Sequence, residues 1–458
     1  MTAMQLIHGW NPDDPGYWRD QGARIARRNL WVSVPALVLA FAVWMVWSAV
    51  VVELPAAGFR YSSNQLFWLA ALPALSGATL RIVYAFAVAA FGGRRFNTLA
   101  TASLLLPALG IGFAVQQPDT PYEWMVALAM LCGLGGGNFA SSMAHVSFFY
   151  PVPRKGSALG LNAGLGNLGV ALAQLVVPAV VGVGLFGAIG GAPQTGASGQ
   201  PIWLQNAGFV WVPFIALAAL GCWFGMDDLA DQRGSFAEQA LIFRRRHTWL
   251  LCLLYLGTFG SVIGLSAGAP LLAATLFPSA AVLQIAWIGP LAAGLLRPLG
   301  GWLADRRGGA RVTLWTFAAL IIGVAGLLAS LPRAGSAGSW PGAAGAFGLL
   351  FAAAGIGTGS SLRMIPIAYI GARQRAAGPL PAARARAASD GNREGAAALG
   401  FAGAIGAYGG FFVPKAWGTS ITLTGGPDAA LQAFAVFYLV CLAVTWWWFA
   451  RRFAPLPC

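Results

Sequence analysis

Long hydrophobic runs dominate this chain, and short polar segments separate them. Twelve runs hold about 20 or more predominantly apolar residues, the length that an α-helix needs to cross the hydrocarbon core of a bilayer. They lie at about 30–52, 64–91, 97–115, 122–149, 157–186, 203–225, 248–276, 282–304, 311–331, 341–370, 395–420 and 428–450. The pattern predicts an all-α integral membrane protein, and we number these runs as spans one to twelve.

The composition excludes a soluble globular enzyme. Of the 458 residues, 58% are hydrophobic and only 9% are charged, which leaves too few charges for a water-facing surface. The five cysteines show no CxxC spacing, so we expect neither a disulfide framework nor a metal site. Since no soluble catalytic domain and no intramembrane cluster of His, Cys or carboxylates is recognisable, we expect no enzymatic activity and no cofactor.

The basic residues predict the orientation in the membrane. A formal net charge of +14 would suggest nucleic-acid binding in a soluble protein. Here most bases lie before span one, after the even-numbered spans and in the tail, whereas the opposite loops hold only Arg60 and Arg333. The positive-inside rule therefore places both termini in the cytoplasm, with the bilayer rather than nucleic acid as the partner.

The two halves of the chain resemble each other. ALGLNAGLGNLG, from Ala158 in span five, aligns with ALGFAGAIGAYG, from Ala398 in span eleven, and Arg81 in span two corresponds in order to Arg297 in span eight. Parallel repeats are typical of transporters with a binding site near the bilayer midplane. The predicted organisation is a cytoplasmic N-terminal segment (1–29), a six-helix bundle (30–225), a cytoplasmic linker (226–247), a second six-helix bundle (248–450) and a cytoplasmic tail (451–458).

Charged residues within the spans are the candidate functional residues. Arg81, Arg297, Arg363 and Lys415 lie inside predicted spans, where an arginine costs roughly 2.5–3.5 kcal/mol. None of the 14 acids falls at the centre of a span, so we expect Arg81 and Arg297 to face a bound anion; pairing with a buried acid is the alternative.

His145 is the one candidate for carrying a proton, and we interpret it as structural. Two fixed positive charges favour anion exchange, because a bound anion offsets the cost of burying them.

Glycines in spans five and eleven form a second group of candidates. Gly164, Gly166 and Gly169 match GxGxxG, but they lie in an apolar span with no preceding strand, which argues against a dinucleotide site. Together with Gly406 and Gly409 they predict close helix packing that lets the two halves rock.

Three segments resemble one transporter family. GGWLADRRGG, which ends at Gly309 in the predicted loop after span eight, resembles the loop signature of the major facilitator superfamily; FGGRRF in the first half lacks its acid. The segments Gly135–Val170 and Gly395–Gly418 resemble the two signatures of the nitrate/nitrite porters within that superfamily.

The resemblance implies the major facilitator fold, with twelve transmembrane helices in two pseudo-symmetric six-helix bundles. It implies alternating access around an anion site between the halves, in a monomeric carrier of the bacterial inner membrane. The implied activity is nitrate/nitrite antiport, with nitrate/proton symport as the alternative.

The resemblance also assigns roles to residues. The implied substrate-binding residues are Arg81, Arg297, Phe139, Asn167, Tyr255 and Phe259. Asp305 and Arg306 are the implied charge pair that helps to hold one conformation. His145, Arg363 and Gly403 stand where the family pattern has other residues, so their roles are left open.

Overall fold

A computed structural model of the protein describes residues 6–196, 199–230, 241–333, 336–377 and 380–458. These residues are mostly helical, and they contain twelve stretches of helix that are long and apolar enough to cross a membrane. The number of spans predicted from the hydrophobic pattern is confirmed.

The helices are listed here in chain order. Spans one to six are formed by Pro15–Tyr17, Trp18–Gly22 (a π-helical turn), Ala23–Met45 and Trp47–Glu53; Ser63–Phe91; Gly93–Ala102 and Leu105–Ala114; Tyr122–Phe149; Val152–Val181; and Asn206–Phe209 and Trp211–Gly225. Spans seven to twelve are formed by Arg246–Leu276; Val282–Ile285 and Ile288–Arg307; Gly309–Ser330; Trp340–Ala376; Pro381–Ala407 and Gly409–Thr424; and Asp428–Thr445 and Trp446–Ala450, the last a π-helical turn. Short 3₁₀ helices lie at Gly187–Gly190 and Leu241–Arg244.

Four two-residue strands connect parts of the first half of the chain. Leu6–Ile7 pairs in parallel with Asp228–Leu229, and Gln194–Thr195 pairs antiparallel with Pro201–Ile202. The first pairing joins the segment before span one to the segment after span six.

The chain divides into two compact units. The first lies within residues 1–234 and also takes in Leu283–Trp287, and the second holds the remainder. The predicted linker, 226–247, contains residues 231–240, which lie outside the described residues. The boundaries proposed for the linker and the terminal segments therefore stay predictions.

Several helices are longer than the apolar runs that revealed them. Span one begins at Pro15 rather than at 30, where Asp14 caps it by accepting hydrogen bonds from the N–H groups of Gly16 and Tyr17. The long loop predicted between spans ten and eleven is wrong, because helices extend to Ala376 and resume at Pro381. Hydropathy measures the apolar length of a helix, whereas hydrogen bonding and capping set its ends.

Glycines bring the arginine-bearing spans close to their neighbours. In the first unit, a Cβ on Gly77 of span two would lie 3.1 Å from the Cα of Gly136 on span four. In the second unit, a Cβ on Gly355 of span ten would lie 2.5 Å from the carbonyl oxygen of Ala293 on span eight. Small residues allow such close backbone approach between membrane helices. These crossings fix the positions of the helices that carry Arg81 and Arg297.

Candidate functional site

Arg81 is a buried cation surrounded by aromatic rings. Its side chain lies on span two and is 2% exposed, and its Nε donates a hydrogen bond of 2.9 Å to the carbonyl oxygen of Gly136. The guanidinium carbon lies 4.6 Å from the ring centroid of Phe139, 4.8 Å from that of Trp44 and 5.8 Å from that of Phe41. Contacts with ring faces stabilise a desolvated cation without neutralising it. The predicted neighbours Arg81 and Phe139 are therefore in contact.

Trp44 is a partner of Arg81 that sequence reasoning missed. The indole is fully buried on span one, and its Nε1 donates a 2.7 Å hydrogen bond to the carbonyl oxygen of Pro73 on span two. This bond holds the ring in place against the guanidinium group. Because the chain contains 19 tryptophans, its position in the sequence gave no signal of this contact.

Arg297 contacts Tyr255, one of the predicted aromatic residues of the second unit. Its Nη2 donates a 3.4 Å hydrogen bond to the hydroxyl of Tyr255. The Tyr255 ring stacks on Phe259, with centroids 5.3 Å apart and planes 23° apart. Among the described residues, Arg297 forms no ion pair with a carboxylate.

Each arginine contacts an aromatic residue on the preceding span of its own unit. Arg81 lies on the second span of the first unit and contacts Trp44 of the first span. Arg297 lies on span eight, the second span of the second unit, and contacts Tyr255 of span seven, the first span there. In both units the arginine of the second span therefore has an aromatic partner on the first span, but Arg81 lies against ring faces whereas Arg297 donates to a hydroxyl.

Asn167 makes fewer specific side-chain contacts than the other predicted binding residues. It lies half-buried on span five, and within the described ranges its side chain makes no hydrogen bond. Nearby polar residues instead join helices to one another. Asn162 Nδ2 donates to Ser142 Oγ at 2.8 Å, and Ser142 is hydrogen-bonded to Ser33 at 2.7 Å.

The predicted pivot glycines differ in their surroundings. Gly166 and Gly169 face span one, where a Cβ on Gly166 would lie 2.6 Å from Leu37 and one on Gly169 would overlap the backbone. A Cβ on Gly406 would meet the Phe259 ring at 2.9 Å, and one on Gly409 would overlap the backbone of span seven. Gly164 borders open space. Four of the five are therefore sites of close helix contact.

His145 connects three parts of the first unit. It is fully buried, and its Nε2 lies 3.0 Å from Oδ1 of Asn29. The Asn29 amide nitrogen donates to Asp227 at 2.8 Å, so Oδ1 is its acceptor and His145 Nε2 must be the donor. The other ring nitrogen, Nδ1, faces Gly93, where a Cβ would overlap it. This arrangement gives the histidine a structural role between spans one and four.

Two buried acids after span six are functional candidates that the sequence assigned to a loop. Asp227 binds the guanidinium group of Arg28, with Nη2 2.5 Å from Oδ2. Asp228 accepts a 2.8 Å hydrogen bond from the backbone N–H of Arg94 and pairs with its guanidinium group at 3.6 Å. Asp228 thus supplies the acid that is missing from FGGRRF. The one feature of the sequence that could have indicated these buried ion pairs is the presence of two adjacent acids directly after an apolar span.

Asp305 and Arg306 were predicted in a loop, and that placement is wrong. Both lie in the last turn of the helix Ile288–Arg307, because the helix continues past its apolar part. Asp305 forms an ion pair of 2.6 Å with Arg363 of span ten, whereas the Arg306 guanidinium lies 4.1 Å from the Trp302 ring centroid. The ion pair accounts for Arg363, an arginine that the sequence placed inside a span.

Glu394, in the middle of the helix Pro381–Ala407, forms two further ion pairs in the second unit. Glu394 binds Arg245 at 3.3 Å and also binds Arg373. Among the described residues, the acids that form ion pairs are thus paired with arginines other than Arg297. Within the described ranges, no group of three or more His, Cys, Asp or Glu side chains is arranged to hold a metal ion.

Comparison with known proteins identifies the family. The sequence profile of the Major Facilitator Superfamily matches residues 34–378. The chain is 46% identical to the nitrate/nitrite transporter NarU of Escherichia coli strain K12, over 98% of this chain and 97% of the relative. It is 39% identical to the probable nitrate/nitrite antiporter NarK2 of Thermus thermophilus, over 99% and 98% of the two chains.

A solved structure supports the same fold. The crystal structure of a D-xylose-proton symporter matches with a TM-score of 0.64 and 15% identity, covering 94% of this chain and 98% of that chain. At this identity the match shows the fold alone, and it confirms the predicted all-α architecture. The chain belongs to the nitrate/nitrite porter family of the Major Facilitator Superfamily.

Proposed function

We propose that this protein exchanges nitrate for nitrite across the bacterial inner membrane by alternating access, as a monomer with both termini in the cytoplasm. The observation that carries the proposal is the pair of intramembrane arginines, Arg81 and Arg297, each in contact with an aromatic side chain of its own unit. The 46% identity to a nitrate/nitrite transporter supports the choice of anions. Transport of this kind requires no chemical conversion, so the protein is not an enzyme.

The chemistry of the two arginines suits small planar anions. A guanidinium group offers a flat fork of N–H donors that matches two oxygens of one anion, and it keeps its charge at every physiological pH. Nitrate and nitrite are planar, singly charged and weakly hydrated. Arg81 and Arg297 each bind oxygens of the transported anion during the cycle, and Asn167 adds a polar contact. Phe139 and Phe259 lie against the plane of the anion and disfavour the larger, more highly charged sulfate and phosphate.

Exchange follows from the permanence of these charges. When no anion is bound, the change of conformation must take place with two uncompensated arginine charges inside the membrane, which is costly. A bound anion offsets part of that charge. A proton symporter normally uses an intramembrane group that titrates. The geometry of His145 argues against that role, since its Nε2–H is already donated to Asn29.

The glycine contacts support a cycle of rigid-body movements. Gly166 and Gly169 hold span five against span one, and Gly409 holds span eleven against span seven. Because nothing larger than hydrogen fits at these crossings, each pair of spans moves as one body. The Asp305 ion pair and Arg306 act at the end of span eight, where breaking or forming surface contacts biases the equilibrium between conformations.

Exchange in reconstituted vesicles tests the proposal. Purified protein is inserted into vesicles that contain nitrite, nitrate or neither, and labelled nitrate is added outside while internal pH is followed. We expect uptake only when nitrite or nitrate is trapped inside, with no change in internal pH. Uptake into empty vesicles with internal acidification would establish proton symport instead.

Conservative variants connect the activity to the arginines. Arg81→Lys and Arg297→Lys should each lose most exchange, because an ammonium group cannot replace the fork. Arg60→Lys is the matched control, since Arg60 is exposed and lies between spans one and two. Wild-type exchange by either arginine variant, with normal insertion into the membrane, would contradict the assignment.

A further inference from the structure

A basic cleft borders the start of span one, outside the proposed transport site. It has a volume of about 480 Å³, and it is lined by Arg19, Ala23, Arg24, Arg27, Arg28 and Trp31. All four arginines are exposed, and Trp31 is 53% exposed. The lining therefore combines several positive charges with one large aromatic surface.

The helix geometry explains why these side chains converge. Within the helix Ala23–Met45, residues 24, 27, 28 and 31 are three or four positions apart and share one face. Arg19 lies in the π-helical turn Trp18–Gly22, and its Nε donates a 3.2 Å hydrogen bond to the carbonyl oxygen of Pro15. Its charge is thereby held beside the same face.

Among the described residues, most of the positive charge of this cleft is not balanced by acids. Arg28 is paired with Asp227. By contrast, Arg24 and Arg27 form no ion pair with any carboxylate in the part of the chain that the structure describes. Unpaired guanidinium groups on one helix face are a favourable site for a phosphate group, which accepts several hydrogen bonds at once.

The position of the cleft on the helix indicates where that phosphate comes from. Residues 24–28 immediately precede the apolar part of span one, and exposed tryptophans are typical of the level at which lipid headgroups meet the hydrocarbon core. Trp31 stands one helical turn beyond Arg27, on the apolar side. Basic groups at this depth attract anionic lipids.

We propose that the cleft binds the phosphate headgroup of an anionic membrane lipid, in the leaflet where span one begins. Arg24 and Arg27 bind the phosphate oxygens, with Arg19 contributing charge, and Trp31 packs along the glycerol and upper acyl chain. This binding is independent of the transported anion, so it does not depend on the proposed exchange activity.

Lipid binding to the purified full-length protein tests this site. Detergent-solubilised protein is titrated with dioleoylphosphatidylglycerol or dioleoylphosphatidylcholine, and bound lipid is counted by native mass spectrometry. We expect one tightly bound phosphatidylglycerol that phosphatidylcholine does not replace. Removing both charges by Arg24→Gln and Arg27→Gln should weaken that binding about 30-fold, equivalent to about 2 kcal/mol, since each basic side chain near an anionic surface contributes about 1 kcal/mol.

A matched double variant separates this site from general charge attraction. Arg244 and Arg246 are two exposed arginines at the start of span seven, so Arg244→Gln with Arg246→Gln removes the same charge elsewhere. We expect this control to retain the tight lipid. Equal losses in both double variants, or no loss in the Arg24 and Arg27 variant, would overturn the proposal. Full competition by glycerol phosphate without acyl chains would also overturn it, because the ligand would then be a soluble phosphate.

Discussion

Replacing Arg81 with lysine is the change whose effect can be worked out most directly from the structure. The guanidinium group donates to the carbonyl oxygen of Gly136 and lies against the rings of Trp44 and Phe139. A hydrogen bond from a charged donor contributes about 1.5–3 kcal/mol, and each ring contact contributes about 0.5–2 kcal/mol. Lysine keeps the charge, but its compact ammonium group cannot satisfy these contacts and also offer two donors to the anion.

The combined loss should reach about 3 kcal/mol, which corresponds to an exchange rate about 150-fold lower at nitrate concentrations far below half-saturation. The assay is the initial rate of labelled nitrate uptake into nitrite-loaded vesicles, with Arg60→Lys measured beside it. Size-exclusion chromatography and thermal melting report whether the variant is still folded. A folded Arg81→Lys protein that exchanges nitrate within about threefold of the wild-type rate would refute the reasoning, because the fork and its ring contacts would then be dispensable.

Three further predictions follow from packing and charge. Asp228→Asn should lower the free energy of unfolding by about 1–3 kcal/mol, since the Asp228 side chain is only 9% exposed. Asp305→Asn should change it by less than about 1 kcal/mol, because the Asp305 side chain is 54% exposed. Equal shifts in melting temperature for the two variants would contradict this prediction. Gly409→Ala should destabilise the second unit by about 1–3 kcal/mol, because the added methyl group overlaps the backbone of Gly260, and an unchanged melting temperature would argue against that contact. Burial raises the pKa of the half-buried Cys458 thiol to about 12, so the reactive thiolate is scarce at pH 7.5 and maleimide should label Cys458 much more slowly in the folded protein than after denaturation. Peptide mapping separates Cys458 from the four buried cysteines, and equally fast labelling of Cys458 in both states would contradict the prediction.

The sequence predicted the features of this fold that depend on local composition. The length of an apolar run is set by consecutive residues, so all twelve spans could be counted without any knowledge of packing. Arg81 and Arg297 could be found in the same way, since a charge within an apolar run is visible in the sequence itself. The contact between Trp44 and Arg81 could not be found, because Trp44 lies on a different span and looks like any other apolar residue of span one.

Helix ends and long-range polar contacts were predicted less well, because they depend on residues that are distant in the sequence. Asp227 and Asp228 follow an apolar run, and hydropathy alone assigns such residues to a loop. Their burial depends on Arg28 and Arg94, which lie far away in the sequence. Asp305 also pairs with a distant residue, Arg363, which lies two spans later, although its side chain stays exposed. The position of an acid relative to the apolar run therefore does not predict whether its side chain is solvated or has a structural role. That depends on which arginine it pairs with in the folded protein.

His145 shows how such neighbours also bear on mechanism. Its chemistry alone makes it a candidate proton carrier, because histidine titrates near neutral pH. In the structure its Nε2–H is donated to Asn29, whose own amide group is committed to Asp227. A proton could be added only at Nδ1, which lies in a fully buried position against Gly93 and has no hydrogen-bond partner among the described residues. Charging the ring would therefore place an imidazolium where no group stabilises its second N–H. The exchange proposed for Arg81 and Arg297 meets no such obstacle, since their guanidinium groups would bind the anion without any change in protonation.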